Sequence, residues 1–182
     1  FDGTADPAPS LQAAMTLSTQ VKETIFQFGL AAKRDGDAGR GSPAVEKMIE
    51  ANILMAGIIS GIGGRTFRVA LAHALLYGLT VLPSVHHALH GEVVSYGLVV
   101  QTCLERNEAE LVRLASFFSQ LGLPVTLAEL GIHDLEDPLF REGLRRTCAV
   151  GSSAHNLSFP VEEKMLLHAI KTVEERAGRW RA

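Results

Sequence analysis

Apolar residues recur at three- and four-residue steps along most of the chain, which is the repeat of α-helices that each bury one stripe. Between 11 and 33 the residues Ala14, Leu17, Val21, Ile25 and Phe28 keep this step and predict a first amphipathic helix. The stretch Arg34-Asp35-Gly36-Asp37-Ala38-Gly39-Arg40-Gly41 interrupts it with glycines and alternating charge, so a solvated loop is expected there. Ser42-Pro43 has the chemistry of a helix start, a hydroxyl to cap free N–H groups and a proline in the first turn. The helix it opens is expected to reach about Ile59. Its second half is apolar almost all round, as in a helix at the middle of a domain. The glycines of Ser60-Gly61-Ile62-Gly63-Gly64-Arg65 should end it, and a third helix is expected over 66–79.

After Pro83 the pattern predicts one long helix over 85–106, with His86, His90, Val93, Gly97, Val100 and Leu104 on adjoining turns. Asn107 with Glu110, and Thr126 with Glu129, have the spacing of capping boxes. Asp137-Pro138 opens a helix expected to end near Val150. Pro160-Val161-Glu162-Glu163 opens the last, with Met165, Leu166, Ile170 and Val173 inward. No stretch alternates with period two between turn signals, so the predicted fold is an all-α bundle of about seven helices. Residues 1–10, with Gly3, Pro7 and Pro9, read as an irregular lead-in.

Composition narrows the partners. The chain has 182 residues, enough for a single domain over 1–182 or for half of a larger enzyme. A net charge of -3 without a clustered Lys/Arg stripe argues against nucleic acid. The longest apolar runs, such as 53–59, are too short to cross a bilayer. Cys103 and Cys148 show no C-x-x-C spacing, so buried free thiols in a reducing compartment, the cytoplasm, are expected. Phe1-Asp2-Gly3-Thr4 carries neither an initiator Met nor a signal peptide, and a chain that begins within a longer protein is expected.

Candidate chemistry concentrates between 73 and 92. Four of the seven histidines, His73, His86, His87 and His90, fall in this otherwise apolar stretch. Neutral imidazole is the commonest transition-metal ligand, and a catalytic site takes about three protein ligands. His86 and His90 are four apart and would share a helix face, while His73 comes from a neighbouring helix, so any two could converge. Each histidine taken singly reads more simply as a core group bonded to a carbonyl. Glu92 would point about 200° away from His90 on a helix and is read as an outward group. Asp2, Asp6 and His155 are other candidates for a third ligand. Gly61 to Gly64 have a weak claim as a phosphate cradle. Arg68 needs a partner, for which an ion pair with a Glu is the simpler reading and a carboxylate-bearing substrate the other.

The motifs Glu50-Ala51-Asn52, Ser60-Gly61-Ile62-Gly63, Ala72-His73-Ala74 with Gly78-Leu79-Thr80, and His90-Gly91-Glu92 with Gly97 and Val100-Gln101 carry a likeness. With Gly122-Leu123-Pro124, Thr126 to Leu130 and His155-Asn156, they resemble the C-terminal helical domain of the glycerol dehydrogenase-like branch of the iron-containing (group III) alcohol dehydrogenase superfamily. The resemblance implies the all-α domain of a dehydroquinate synthase-like fold. It implies a divalent metal, zinc in most of this branch and iron in some relatives, held by His73 and His90 together with an aspartate matching a point upstream of Phe1. It further implies that an N-terminal NAD- or NADP-binding α/β domain is absent from this chain, which has no cofactor-binding residue of its own. Two positions depart from the glycerol dehydrogenase pattern. Leu76 stands where a second histidine is usual, and Gly64-Arg65-Thr66-Phe67-Arg68 replaces a small glycine pair, which is more similar to relatives acting on 2-hydroxy acids.

The expectation is therefore the metal-binding half of an NAD(P)-dependent dehydrogenase, homo-oligomeric, acting on a small-molecule alcohol or hydroxy acid and inactive without its other domain. The alternatives are a 2-hydroxycarboxylate dehydrogenase, with Arg68 holding the carboxylate, and a non-catalytic helical or oligomerisation module.

Overall fold

A computed structural model describes residues 7–180, apart from the side chains of Arg65 and Thr66. The described residues form helices and no strand, in seven rods, one of them built from three helical segments run together. They group into two compact units divided between Arg68 and Val69, and each is taken in turn.

In the first unit α1 spans Pro9–Asp37. It runs four residues into the charged stretch expected to be loop, to Asp37, because the Asp35 carboxylate organises the helix end, and residues 38–41 form the loop. Asp35 is buried and accepts from Arg40 at 3.0 Å and Arg34 at 3.2 Å, while Arg40 N donates back to the Asp35 carbonyl at 2.9 Å. Hydrogen bonds from Arg40 first, then Ser42 and Arg34, hold its pKa at about 2. The second rod begins with α2, Pro43–Ile49, capped as expected by Ser42 Oγ accepting from Val45 N at 3.4 Å. It passes through a π-turn, Glu50–Met55, into α3, Ala56–Arg68. The glycine segment does not end this rod near Ile59. A glycine at helical angles weakens a helix by about 1 kcal/mol without breaking it. Only Gly64, at φ 72° and ψ -177°, leaves helical geometry.

α1 packs along α2, the π-turn and α3. The rod is not the buried middle helix that its pattern predicts. Ile49, Ile53, Leu54, Ile58 and Ile62 are exposed, Ile53 by 74%, because within this unit α1 covers only one side.

The second unit starts with α4, Leu71–Leu79, of whose nine residues seven are buried between α5, His90–Leu104, and α7, Pro138–Thr147. Two glycines permit this closeness. A Cβ on Gly78 would lie 2.1 Å from Thr147 Oγ1 and 2.4 Å from the Gly143 carbonyl oxygen, and one on Gly97 would lie 2.8 Å from Ala72 Cα. α6, Glu108–Leu121, and α8, Glu163–Arg176, flank α5. Tyr96, fully buried on α5, donates to Glu174 Oε1 at 2.9 Å, and the same oxygen accepts from Leu127 N at 3.0 Å.

The long helix predicted over 85–106 is two elements. Pro83–His87 form one turn of 3-10 helix, Ala88 and Leu89 are extended, and α5 begins only at His90. The start is fixed by Glu92, whose Oε2 accepts from Leu89 N at 2.7 Å, the reciprocal half of a capping box. The other caps are where the spacing placed them. Asn107 accepts from Glu110 N at 3.2 Å, and Glu129 accepts from Thr126 N at 3.0 Å while its own N–H reaches Thr126 Oγ1 at 3.3 Å. α7 stops at Thr147, short of Val150, and α8 begins at Glu163. Leu166, Ala169, Ile170 and Val173 form its buried stripe, which leaves Met165, one position off the stripe, 38% exposed. Cys103 and Cys148 are half-buried free thiols, and burial pushes both upward, Cys148 to about 11. No described helix is long and apolar enough to cross a membrane.

Candidate metal centre

α4 carries His73 in its first turn, and α5 carries His90 as its first residue. Seventeen positions separate them in sequence, yet their ring centroids lie 5.7 Å apart with planes inclined by 54°. The extended Ala88-Leu89 pair makes this possible, since it starts α5 at the histidine rather than a turn and a half earlier. His73 is half-buried and His90 exposed. Burial, and then the positive charge of His90 when protonated, lower the His73 pKa and favour neutral imidazole, the form that offers a lone pair. Among the described residues neither ring makes a hydrogen bond, so nitrogens on both remain available.

The remaining candidates separate from this pair. His86 is not on α5 and so shares no face with His90. Its Nε2 lies 2.7 Å from the Thr80 carbonyl oxygen, which explains it as a local tie. Glu92 is engaged as the α5 cap and, with His87, lines a cleft of about 400 Å³ onto which His73 and His90 do not open. His155 sits in the 3-10 turn Ser153–Asn156 with its Nε2 3.3 Å from the Cys148 carbonyl oxygen. Asp2 and Asp6 lie outside the described residues. Among the described residues no three His, Cys, Asp or Glu side chains gather in a way that could hold a metal ion. The donor set of His73 and His90 fits two ligands of a divalent ion and no more.

Arg68 is exposed, with Nη1 3.4 Å from Ser60 Oγ, and among the described residues it forms no ion pair, contrary to the expected Glu partner. Gly61 and Gly63 lie inside α3, where their backbone N–H groups are engaged by the helix, and only Gly64 of the proposed phosphate cradle leaves helical geometry.

Sequence reasoning did not foresee how the first turn of α4 is held. Val69-Ala70-Leu71-Ala72 offers no capping side chain, and α4 has none from its N-cap residue. The free Ala72 N–H donates instead to Gln101 Oε1 at 3.2 Å. Asn156 Nδ2 donates to the Val69 carbonyl at 2.8 Å and Ser153 Oγ to the Ala70 carbonyl at 3.2 Å. The signal was a capless helix start together with a lone glutamine in the apolar sequence of α5.

No family model matches the chain. An uncharacterised oxidoreductase of Synechocystis is 37% identical over 91% of this chain and 44% of its own length. A glycerol dehydrogenase of Citrobacter freundii is 34% identical over 95% of this chain and 47% of its own length. The crystal structure of glycerol dehydrogenase from Schizosaccharomyces pombe superposes with a TM-score of 0.83 at 34% identity, covering 93% of this chain and 42% of that one. The chain thus spans about half the length of the curated relatives it matches. Fold and relatives together are those of a helical portion of glycerol dehydrogenases. The chain belongs to the glycerol dehydrogenase family and corresponds to its C-terminal helical domain.

Proposed function

We propose that this chain is the metal-binding helical half of an NAD(P)-dependent dehydrogenase that interconverts a secondary alcohol and its ketone, with His73 and His90 as two of the metal's protein ligands. The observation that carries this reading is the 5.7 Å approach of two unbonded imidazoles from different helices, in a chain of this family. A third ligand, a carboxylate, and the nucleotide site would lie outside the described residues. When bound, a divalent ion, zinc or iron, would polarise the alcohol oxygen and ease loss of its proton, and the nicotinamide would accept the hydride from the carbinol carbon. Here the His73 and His90 side chains would hold the ion, and the partial burial of His73 favours its neutral ring. The exposed Ile49, Ile53, Ile58 and Ile62 fit a surface covered by the other half of a family-length protein.

A polyol is the first substrate class to test. A 2-hydroxy acid is the second reading, favoured by one observation, the exposed Arg68 guanidinium without a carboxylate partner among the described residues, since guanidinium pairs with carboxylate through two hydrogen bonds. The test is made on the intact protein. His73→Ala and His90→Ala should each lose bound metal and turnover with glycerol or a 2-hydroxy acid and NAD or NADP. Retention of both metal and turnover in either variant would overturn the proposal.

A further inference from the structure

The first turn of α4 has an unusual support. It carries His73, has no local side-chain cap, and receives its side-chain hydrogen bonds from groups distant in sequence. Gln101 takes the Ala72 N–H from 29 positions away, and Asn156 and Ser153 take the Val69 and Ala70 carbonyls from 87 and 83 positions away. These contacts surround the residues immediately before His73. Gly97 brings the α5 backbone against Ala72 at the same place. Gln101 is the informative member, because it lies on α5, the helix that begins with His90. One rigid element therefore carries one imidazole at its first residue and, three turns on, the oxygen that fixes the start of the helix carrying the other. Two ligands from different helices chelate an ion only if their separation and phase are held to a fraction of an ångström.

We propose that Gln101 and Asn156 are positioning residues for the histidine pair: they lock the first turn of α4 against α5 and so set the His73 to His90 geometry. Ser153 supports the same turn through a hydrogen bond of 3.2 Å, equal in length to that of Gln101. The inference rests on the reading of His73 and His90 as a chelating pair, and it concerns what makes them chelate. Gln101 needs only its acceptor oxygen for this task, whereas Asn156 needs its N–H donor.

The two readings are separable with copper(II) iminodiacetate, which has two open positions and binds a paired imidazole site without a third protein ligand. The 182-residue chain should bind it with two imidazole nitrogens seen by electron paramagnetic resonance, and His73→Ala should remove that signature. Failure at this step would overturn the chelating pair itself. Given a positive result, Gln101→Leu and Asn156→Asp should each weaken binding about tenfold or more and shift the spectrum toward a single imidazole, in line with the effect of removing groups that orient metal ligands. Because Gln101 Nε2 also donates to Glu105 Oε1 at 2.9 Å, Gln101→Glu combined with Glu105→Gln, which keeps the acceptor oxygen and reverses that hydrogen bond, should bind as the unaltered chain does. Helix content by circular dichroism confirms that each variant is folded, and Thr102→Val, one position from Gln101, reports the effect of general loosening of α5. Unchanged two-nitrogen binding in folded Gln101→Leu and Asn156→Asp, or an equal loss in Thr102→Val, would overturn the positioning role while leaving the pair intact.

Discussion

The two units use apolar residues in opposite ways. From Val69 onward the core is built of large side chains, with Leu71, Leu75, Tyr96, Leu111, Phe140, Leu144 and Ile170 completely or almost completely buried, while Tyr77, Leu89, Val112, Leu139, Val150 and Met165 face outward. In residues 7–68 the buried apolar side chains are alanines, Ala14, Ala32 and Ala51, while Met15, Leu30, Ile49, Ile53, Leu54, Ile58 and Ile62 are exposed. Burial of a large side chain contributes about 1.5–3 kcal/mol, so the second unit carries its own core and the first does not. The histidine pair stands on the self-sufficient unit. A chelating geometry needs a scaffold that does not deform, and α4 is the most completely enclosed of its helices.

The largest effect expected from this contrast concerns the cores. Phe140→Ala should cost about 3–5 kcal/mol in chemical denaturation, whereas Ile53→Ala should stay within about 0.5 kcal/mol. Comparable losses at the two positions would break the comparison. The glycines sharpen it. Gly78→Ala forces a Cβ against Thr147 and Gly143 and should cost about 1–3 kcal/mol or more. Gly57→Ala, in a helix with open space around it, should instead stabilise by about 0.5–1 kcal/mol. Thermal melts of the pair should shift in opposite directions. Asn107→Ala removes the α6 cap and should cost about 1 kcal/mol.

The smallest effect near neutrality is that of Cys148. Its thiol is raised from 9.0 to about 11 by burial, so folding favours the protonated form. The contribution is present below pH 9 and is lost as pH rises from 9 toward 11. Alkylation of the folded protein followed against pH should rise with an inflection near 11, and one near 9 would contradict the burial of this thiol.

Sequence periodicity revealed the helices because most carry a clean stripe, and the caps at Ser42, Asn107 and Thr126 were legible because capping is local chemistry. Three features escaped it. The helix end around Asp35 depends on arginines that fold back onto one carboxylate, and charge alternation alone looks like loop. The glycines Gly61, Gly63 and Gly64 looked like a break, yet neighbouring helix formers carry the rod through Gly61 and Gly63, and only Gly64 leaves helical geometry. The start of α5 at His90 rather than Val85 follows from Glu92 reaching back to Leu89, and this decides which histidines can meet. On residue spacing alone His86 competed with His73 as partner to His90. The motif resemblance selected His73, and the folded geometry brings that pair together. Gln101, Ser153 and Asn156 were invisible as a group because their shared target is backbone, which no side-chain pattern marks.

The most direct test of the account is zinc binding by this chain, measured by competition with a chromophoric chelator. The account predicts that His73→Ala and His90→Ala each weaken binding more than tenfold, as expected when one of two ligands is removed, while His86→Ala and His155→Ala leave it unchanged. Equal affinity in the chain and in its His73→Ala and His90→Ala variants would contradict it.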